Sequence, residues 1–197
     1  MLDIGNASGD FIPWVKYNAK AGRWYIKDDA GNDLEVEKPV FVADFANIKT
    51  GWFHFSAGNA PERELDPSLT ERAIAPRDGF KRGFALNLFS NVHFGGVAEL
   101  SSVANAICTP INELYGLYEA APESKAGKLP VVAFVKTIAD VGKHGTNFIP
   151  EFKIESWIDR PAELDAVLGT TLPAAASNGS ATVAEVPAQA ASGGSVF

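Results

Sequence analysis

The chain has 197 residues, 46% of them hydrophobic and 11% aromatic, enough apolar surface for one domain with a sizeable core plus a tail. A formal net charge of -7 speaks against coating nucleic acid by bulk charge, but leaves room for a local basic groove, because exposed charges more than a Debye length apart barely interact at cellular salt. The single cysteine, Cys108, excludes an intrachain disulfide; MLDIGNASGD lacks a leader pattern and no apolar run reaches membrane-span length, so a cytoplasmic protein without membrane contact is expected.

In chain order, residues 1–10 read as a flexible arm. Ile12–Tyr17 and Arg23–Lys27 flank NAKAG, whose Gly22 supplies turn chemistry, and predict a hairpin. A turn at DDAGND precedes extended structure over Glu35–Asp44, and GWFHF (Gly51–Phe55) is a short aromatic strand. The polar stretch Asn59–Gly79 reads as a long loop, and Phe80–Ser90 as a strand. Leu100, Val103, Ile107, Ile111, Leu114 and Tyr118 recur at spacings of three and four, predicting a helix between Glu99 and Glu119 that Pro110 interrupts, with Thr109 as a new cap. Leu129–Ile138 is a buried strand. Gly142–Asn147 is a turn, and Phe148–Ile158 alternates with Phe152, Ile154 and Ile158 opposite Glu151, Lys153, Glu155 and Trp157.

Strands, one helix, then strands point to a mostly β fold with one or two helices, a small antiparallel barrel with a helix across one end. The globular body spans 11–164. From 165 to 197 the chain turns to Ala, Ser, Gly, Thr, Val and Pro, with Glu185 its only charge after Asp165. It has too little large apolar surface to offset ordering and is expected to be disordered.

The most informative stretch is FIPWVKYNAKAGRWYIK, with five rings, four cations and no acid. Alternation puts Arg23, Tyr25 and Lys27 on one face of the second strand, and Trp14 with Lys16 on one face of the first. If the cations face water, Trp14 and Tyr25 are exposed rings on a basic surface. Flat rings stack on unpaired bases, worth about 1–3 kcal/mol each, while Lys16, Lys20, Arg23 and Lys27 would hold phosphates. The alternative is a hairpin whose rings fill the core. Arg72–Ala98 adds Arg72, Arg77, Lys81 and Arg82 against Asp78 alone, with Phe80 and Phe84 interleaved, whereas Asp28–Glu37 gathers five acids and no base. Charge segregation of this kind fits a groove within an acidic protein. In GWFHF either Trp52 with His54 or Phe53 with Phe55 is core; Trp52 and Trp157 are further candidates for exposed rings. Signals for catalysis are poor: His54, His93 and His144 stand apart, Cys108 lies in the apolar helix, and no phosphate-loop or nucleophile-elbow pattern occurs. No enzyme activity, cofactor or metal is expected.

GDFIPWVKYNAKAGRWYIK, FVADFANIKTGWFHF, DPSL, FKRGFALNLFS, FGGVAELSS, INELY, KHGTNFIPEFKI and WIDRPAEL together make a string of segments, from about Gly9 to Leu164, that resembles phage and prophage single-stranded DNA-binding proteins. The resemblance implies an OB-fold, a five-stranded barrel, here with an extra hairpin, coating single strands during replication or recombination in the bacterial host cell. Trp14, Tyr25, Trp52 and Phe84 would stack bases, and Lys16, Lys20, Arg23, Lys27, Lys81 and Arg82 would contact phosphates. Self-association is allowed. Such proteins often end in an acidic tail with a final phenylalanine that recruits replication or recombination partners. Phe197 fits that role, but the acids are missing. The rival readings are a phage structural or assembly protein and a small nucleic-acid-acting enzyme.

Overall fold

The computed structural model describes residues 12–28, 30–56, 60–143 and 145–168; the expected arm, Phe11, His144, and residues 169–197 with Phe197 lie outside them. Ten strands are described: β1 (Trp14–Asn18), β2 (Arg23–Lys27), β3 (Asp33–Val36), β4 (Val40–Ala43), β5 (Lys49–His54), β6 (Glu62–Leu65), β7 (Lys81–Ser90), β8 (Gly96–Ser102), β9 (Leu129–Gly142) and β10 (Gly145–Ile158). Helices α1 (Asn105–Ala120), α2 (Pro122–Lys125) and α3 (Ala162–Ala166) complete the set, with a 3-10 turn at Phe45–Asn47.

All ten strands join one sheet, in the order β10-β9-β4-β7-β8-β1-β2-β3, with β5 added to β7 and β6 to β5. The mostly β expectation holds. Ten strands are more than a five-stranded barrel with an extra hairpin would use, and β1 lies parallel to β8 while the other described pairs are antiparallel. Along the edge opposite β8, the ten-residue β7 serves two partners in succession: β5 along Lys81–Ala85, then β4 at Leu88 and Phe89, with the 3-10 turn carrying the chain from one to the other.

Alternation sorts the sheet into an inner and an outer face. Val15, Tyr17, Trp24, Phe41, Phe84, Leu86, Leu88, Ala98 and Leu100 point inward and pack with Ile107, Ile111 and Leu114 of α1. The sheet rolls, so that Trp24 of β2 meets Phe41, Phe134 and Phe152 with ring centroids 6.0–6.2 Å apart. The end strand β10 is stitched to the β1–β2 hairpin where the Phe148 N–H donates to the Ala19 carbonyl (2.7 Å) and the Tyr17 hydroxyl donates to the Phe148 carbonyl (2.8 Å). A smaller apolar cluster of Val42, Leu129 and Leu164 places α3 over the outer face at the other end, locked by Arg160, which donates to both buried Asp44 oxygens (2.5 and 2.7 Å) and to Asp165.

Several local expectations are corrected. The Glu35–Asp44 stretch breaks at Glu37–Pro39, where Lys38 has a positive φ of 43°. β6 lies within the expected long loop, paired to β5. Glu99–Ser102 is strand rather than helix, and α1 runs unbroken through Pro110, whose missing N–H removes one bond while its buried ring packs on the core. In β10 a bulge at Glu155 reverses the alternation, turning Trp157 inward to stack on Tyr118 of α1 (6.2 Å, 26° between planes).

Candidate nucleic-acid interface

The outer face of β1, β2 and β3 is the surface that the ring-and-cation pattern singles out. Cross-strand register puts Lys16, Tyr25 and Glu35 in one row, with Asn18 beside Arg23 and Lys27 beside Asp33 in the flanking rows. Trp14 opens the face and pairs in register with Glu99 of β8. Trp14 and Tyr25 are half-buried, with the Trp14 indole nitrogen itself buried, and Lys16 is exposed, so the cation faces solvent beside two partly accessible residues. Trp24, by contrast, is in the core at 1% exposure.

This face is not uniformly basic. Arg23 binds Glu35 at 2.6 Å and Lys27 binds Asp33 at 2.6 Å. The Lys27 hydrogen bond holds the Asp33 carboxyl below its ordinary range, and the Glu35 hydrogen bond raises the already high Arg23 guanidinium. The acids of the DDAGNDLEVE stretch, segregated along the chain, are thus brought back by β3 against the cations of β2. Lys20, in the β1–β2 turn, leans toward the far end of the sheet, its Nζ 3.5 Å from the Thr146 carbonyl.

Further along the outer face, β6, β5, β7 and β8 lie side by side. A flat sheet would set β6 about 14 Å from β8, three spacings of roughly 4.8 Å. Yet Arg63 of β6 donates to both Glu99 oxygens (2.9 and 2.5 Å), so the outer face is concave here. Gly51 and Gly83 face each other at the bend. A Cβ at Gly51 would run into the Glu64 carbonyl and one at Gly83 into the Ser102 carbonyl. Phe53 lies in this fold at 1% exposure, stacked on Phe55, which is 46% exposed; Lys81 is an exposed cation in the row of Phe53.

Trp52, Arg82 and Phe84 are on the opposite face. Phe84 is buried (5%) beneath α1 and cannot meet a base. Trp52 donates its indole N–H to the Ala73 carbonyl (2.8 Å), and Arg82 lies 5.3 Å over its ring. Arg82 is itself held by Asp66 through two hydrogen bonds (2.7 and 2.5 Å), and Asp66 also accepts from the Thr50 hydroxyl (2.5 Å) and the Ala73 N–H (2.9 Å). The Arg82 bonds and the other donors hold the Asp66 carboxyl well below the usual carboxylate range, against the opposing effect of burial. Beside it, His54 stacks on Phe80 (5.5 Å), Arg77 lies over Phe80 (5.1 Å), and Glu62 takes both Arg77 and His54. This network ties the 66–80 segment to the sheet.

Of the ten expected contact residues, the outer face therefore collects Trp14, Lys16, Arg23, Tyr25, Lys27 and Lys81, with Lys20 at its margin, and excludes Trp52, Arg82 and Phe84. Phe55 is the exposed ring that single-strand alternation left undecided. Asp33 and Glu35 were missed as its neighbours because pairing partners are not written in linear charge counts.

A groove of about 380 Å³ opens between α1 and the inner side of β5 and β7, with Ile48, Phe84, Ile111 and Tyr115 among its walls. Cys108 lines it, its thiol pushed up to about 11 by burial and so not a nucleophile near neutrality. Among the described residues no three His, Cys, Asp or Glu side chains gather as a metal site, and no helix is long and apolar enough to cross a membrane. No protein family, curated protein or solved structure matches the chain.

Proposed function

We propose that this protein binds single-stranded DNA without strong sequence preference, coating it during phage replication or recombination in the host cytoplasm. The observation that carries this reading is the outer sheet face on which the exposed Lys16 stands beside the half-buried Trp14 and Tyr25, with Lys20 in the adjoining turn. Unpaired bases would stack on the rings while the lysines take the phosphates. An OB-like barrel is the architecture this reading favours: the rolled sheet, with Phe148 of the end strand β10 drawn to Ala19 of the β1–β2 turn, is compatible with a partly open barrel. Phe197 would serve as a tether to replication or recombination proteins.

The test is a titration with oligo(dT) and with a duplex of equal length across a salt series, followed by tryptophan fluorescence and gel shift. A complex with the single strand that weakens steeply with salt is expected. No complex at low salt overturns the proposal. A second reading, a phage assembly protein that contacts other proteins, draws on the pairing of Arg23, Lys27, Arg77 and Arg82 with carboxylates and on the exposure of Ile74, Val92 and Val141. Partner binding indifferent to salt would favour it.

A further inference from the structure

We propose that β3 is a built-in competitor for phosphate: Asp33 and Glu35 occupy the two cations that flank Tyr25, and a nucleic acid gains the full hairpin face only by displacing them. This rests on the single-stranded DNA reading and specifies how that face is tuned. The register gives the geometry. Tyr25 pairs with Glu35, and Lys27 pairs with Asp33, so each carboxylate stands one strand away from a cation on the same outer face. Both ion pairs close at 2.6 Å. The cations and Asp33 are about half exposed and Glu35 is 37% exposed, so the pairs are wet, screened and readily opened. β3 ends the strand order and carries Asp33 and Glu35 outward with Val36 turned into the core, so the acids form a bank along one side of the ring row.

Two consequences follow. A phosphate that replaces a carboxylate on Arg23 or Lys27 releases that carboxylate to water, where it collects its own counterion. The exchange therefore adds little to the net counterion release that makes nucleic-acid binding salt-dependent. Only Lys16, Lys20 and Lys81 would contribute in full. Neutralising the bank frees two more cations and also removes a repulsion from the backbone of the bound strand.

The experiment compares the full chain with the Asp33→Asn/Glu35→Gln variant and with Glu155→Gln, which removes an exposed acid on β10. Each is titrated with oligo(dT) from low to high salt, with thermal melts to establish folding. The double variant is expected to bind roughly 2- to 25-fold more tightly at low salt, the range that two exposed pairs span. Its log-log salt slope should steepen by about 1.4, two phosphates at roughly 0.7 each. Glu155→Gln should leave the slope unchanged. If the parent chain binds and the double variant binds no more tightly, or with the same slope, the competitor role is overturned while the DNA-binding reading stands. If a slope change of equal size appears in Glu155→Gln, net charge is responsible and the proposal is overturned. If neither the parent nor the double variant binds, the DNA-binding reading falls, and this inference with it.

Discussion

Asp66 offers the sharpest test of how the long polar segment is held. Its side chain is 2% exposed and accepts four hydrogen bonds, two from Arg82 and one each from the Thr50 hydroxyl and the Ala73 N–H. Removing one partner of a buried ion pair costs about 3–5 kcal/mol because the other charge is stranded. Here Arg82 is 32% exposed and recovers part of its hydration, which lowers the expected cost of Asp66→Ala to about 2–4 kcal/mol. At about 2–4 °C per kcal/mol for a domain of this size, the melting midpoint should fall by roughly 4–16 °C. Loss of the Ala73 anchor should also loosen the carbonyl that caps Trp52 and shift tryptophan emission to the red. The pH dependence has a definite sign. The folded-state carboxyl is held below its unfolded value, so its contribution is complete above about pH 5 and declines as pH falls through the unfolded pKa toward the folded one. The stability gap between the parent and Asp66→Asn should therefore narrow by about 1.4 kcal/mol per pH unit below about pH 4. Urea unfolding at pH 7, 5 and 3 measures it. A gap under about 0.5 kcal/mol at pH 7, within the range of ordinary surface changes, would refute the argument. So would one that stays constant down to pH 3.

Tyr25→Ala should weaken oligo(dT) binding roughly 5- to 150-fold, the equivalent of about 1–3 kcal/mol of stacking, with the salt slope unchanged and Tyr25→Phe close to the parent. Lys16→Ala should instead flatten the slope by about 0.7. Trp24→Ala should cost about 3–5 kcal/mol in urea unfolding, since the ring fills the space between Tyr17, Phe41, Phe134 and Phe152. Trp24→Phe should cost less than half as much, because it also removes a buried indole N–H that has no acceptor among the described residues.

The fold was legible where one period dominated a segment. β1, β2, β5, β7 and β9 follow from alternation and turn residues, and the apolar stripe of α1 from Ile107 to Leu114. It was not legible where two periods overlap. Leu100 and Val103 continue the helical spacing of Ile107 backwards, yet Ala98 and Leu100 also alternate with Glu99 and Ser101, and pairing with β7 decides for strand. β6, EREL, has no apolar alternation; it is held by the ladder to β5 and by the ion pairs of Arg63 and Glu62. The bulge at Glu155 has no local signature, and without it Trp157 would be assigned to the wrong face.

The candidate interface was half legible for a related reason. Alternation ranks side chains by face within one strand, but the identity of the face depends on what the sheet does next. Trp52 and Arg82 look as suitable for a nucleic-acid surface as Trp14 and Lys16. Only the β5–β7 register, which matches Trp52 with Arg82 and Thr50 with the buried Phe84, assigns them to the other side. Charge behaves likewise. Seventeen residues without an acid appear basic along the chain, but a four-residue strand that begins six positions later supplies Asp33 and Glu35 at salt-bridge distance. The physically relevant count is the one within about a Debye length in space, and there Arg23 and Lys27 are already matched. What stands unmatched by any described ion pair on the ring face is Lys16, with Lys20 at its margin and Lys81 further along the outer side of the sheet. Affinity for a polyanion would then rest on a few lysines and two rings, so such binding should respond to single substitutions in the hairpin more sharply than a uniformly basic groove would.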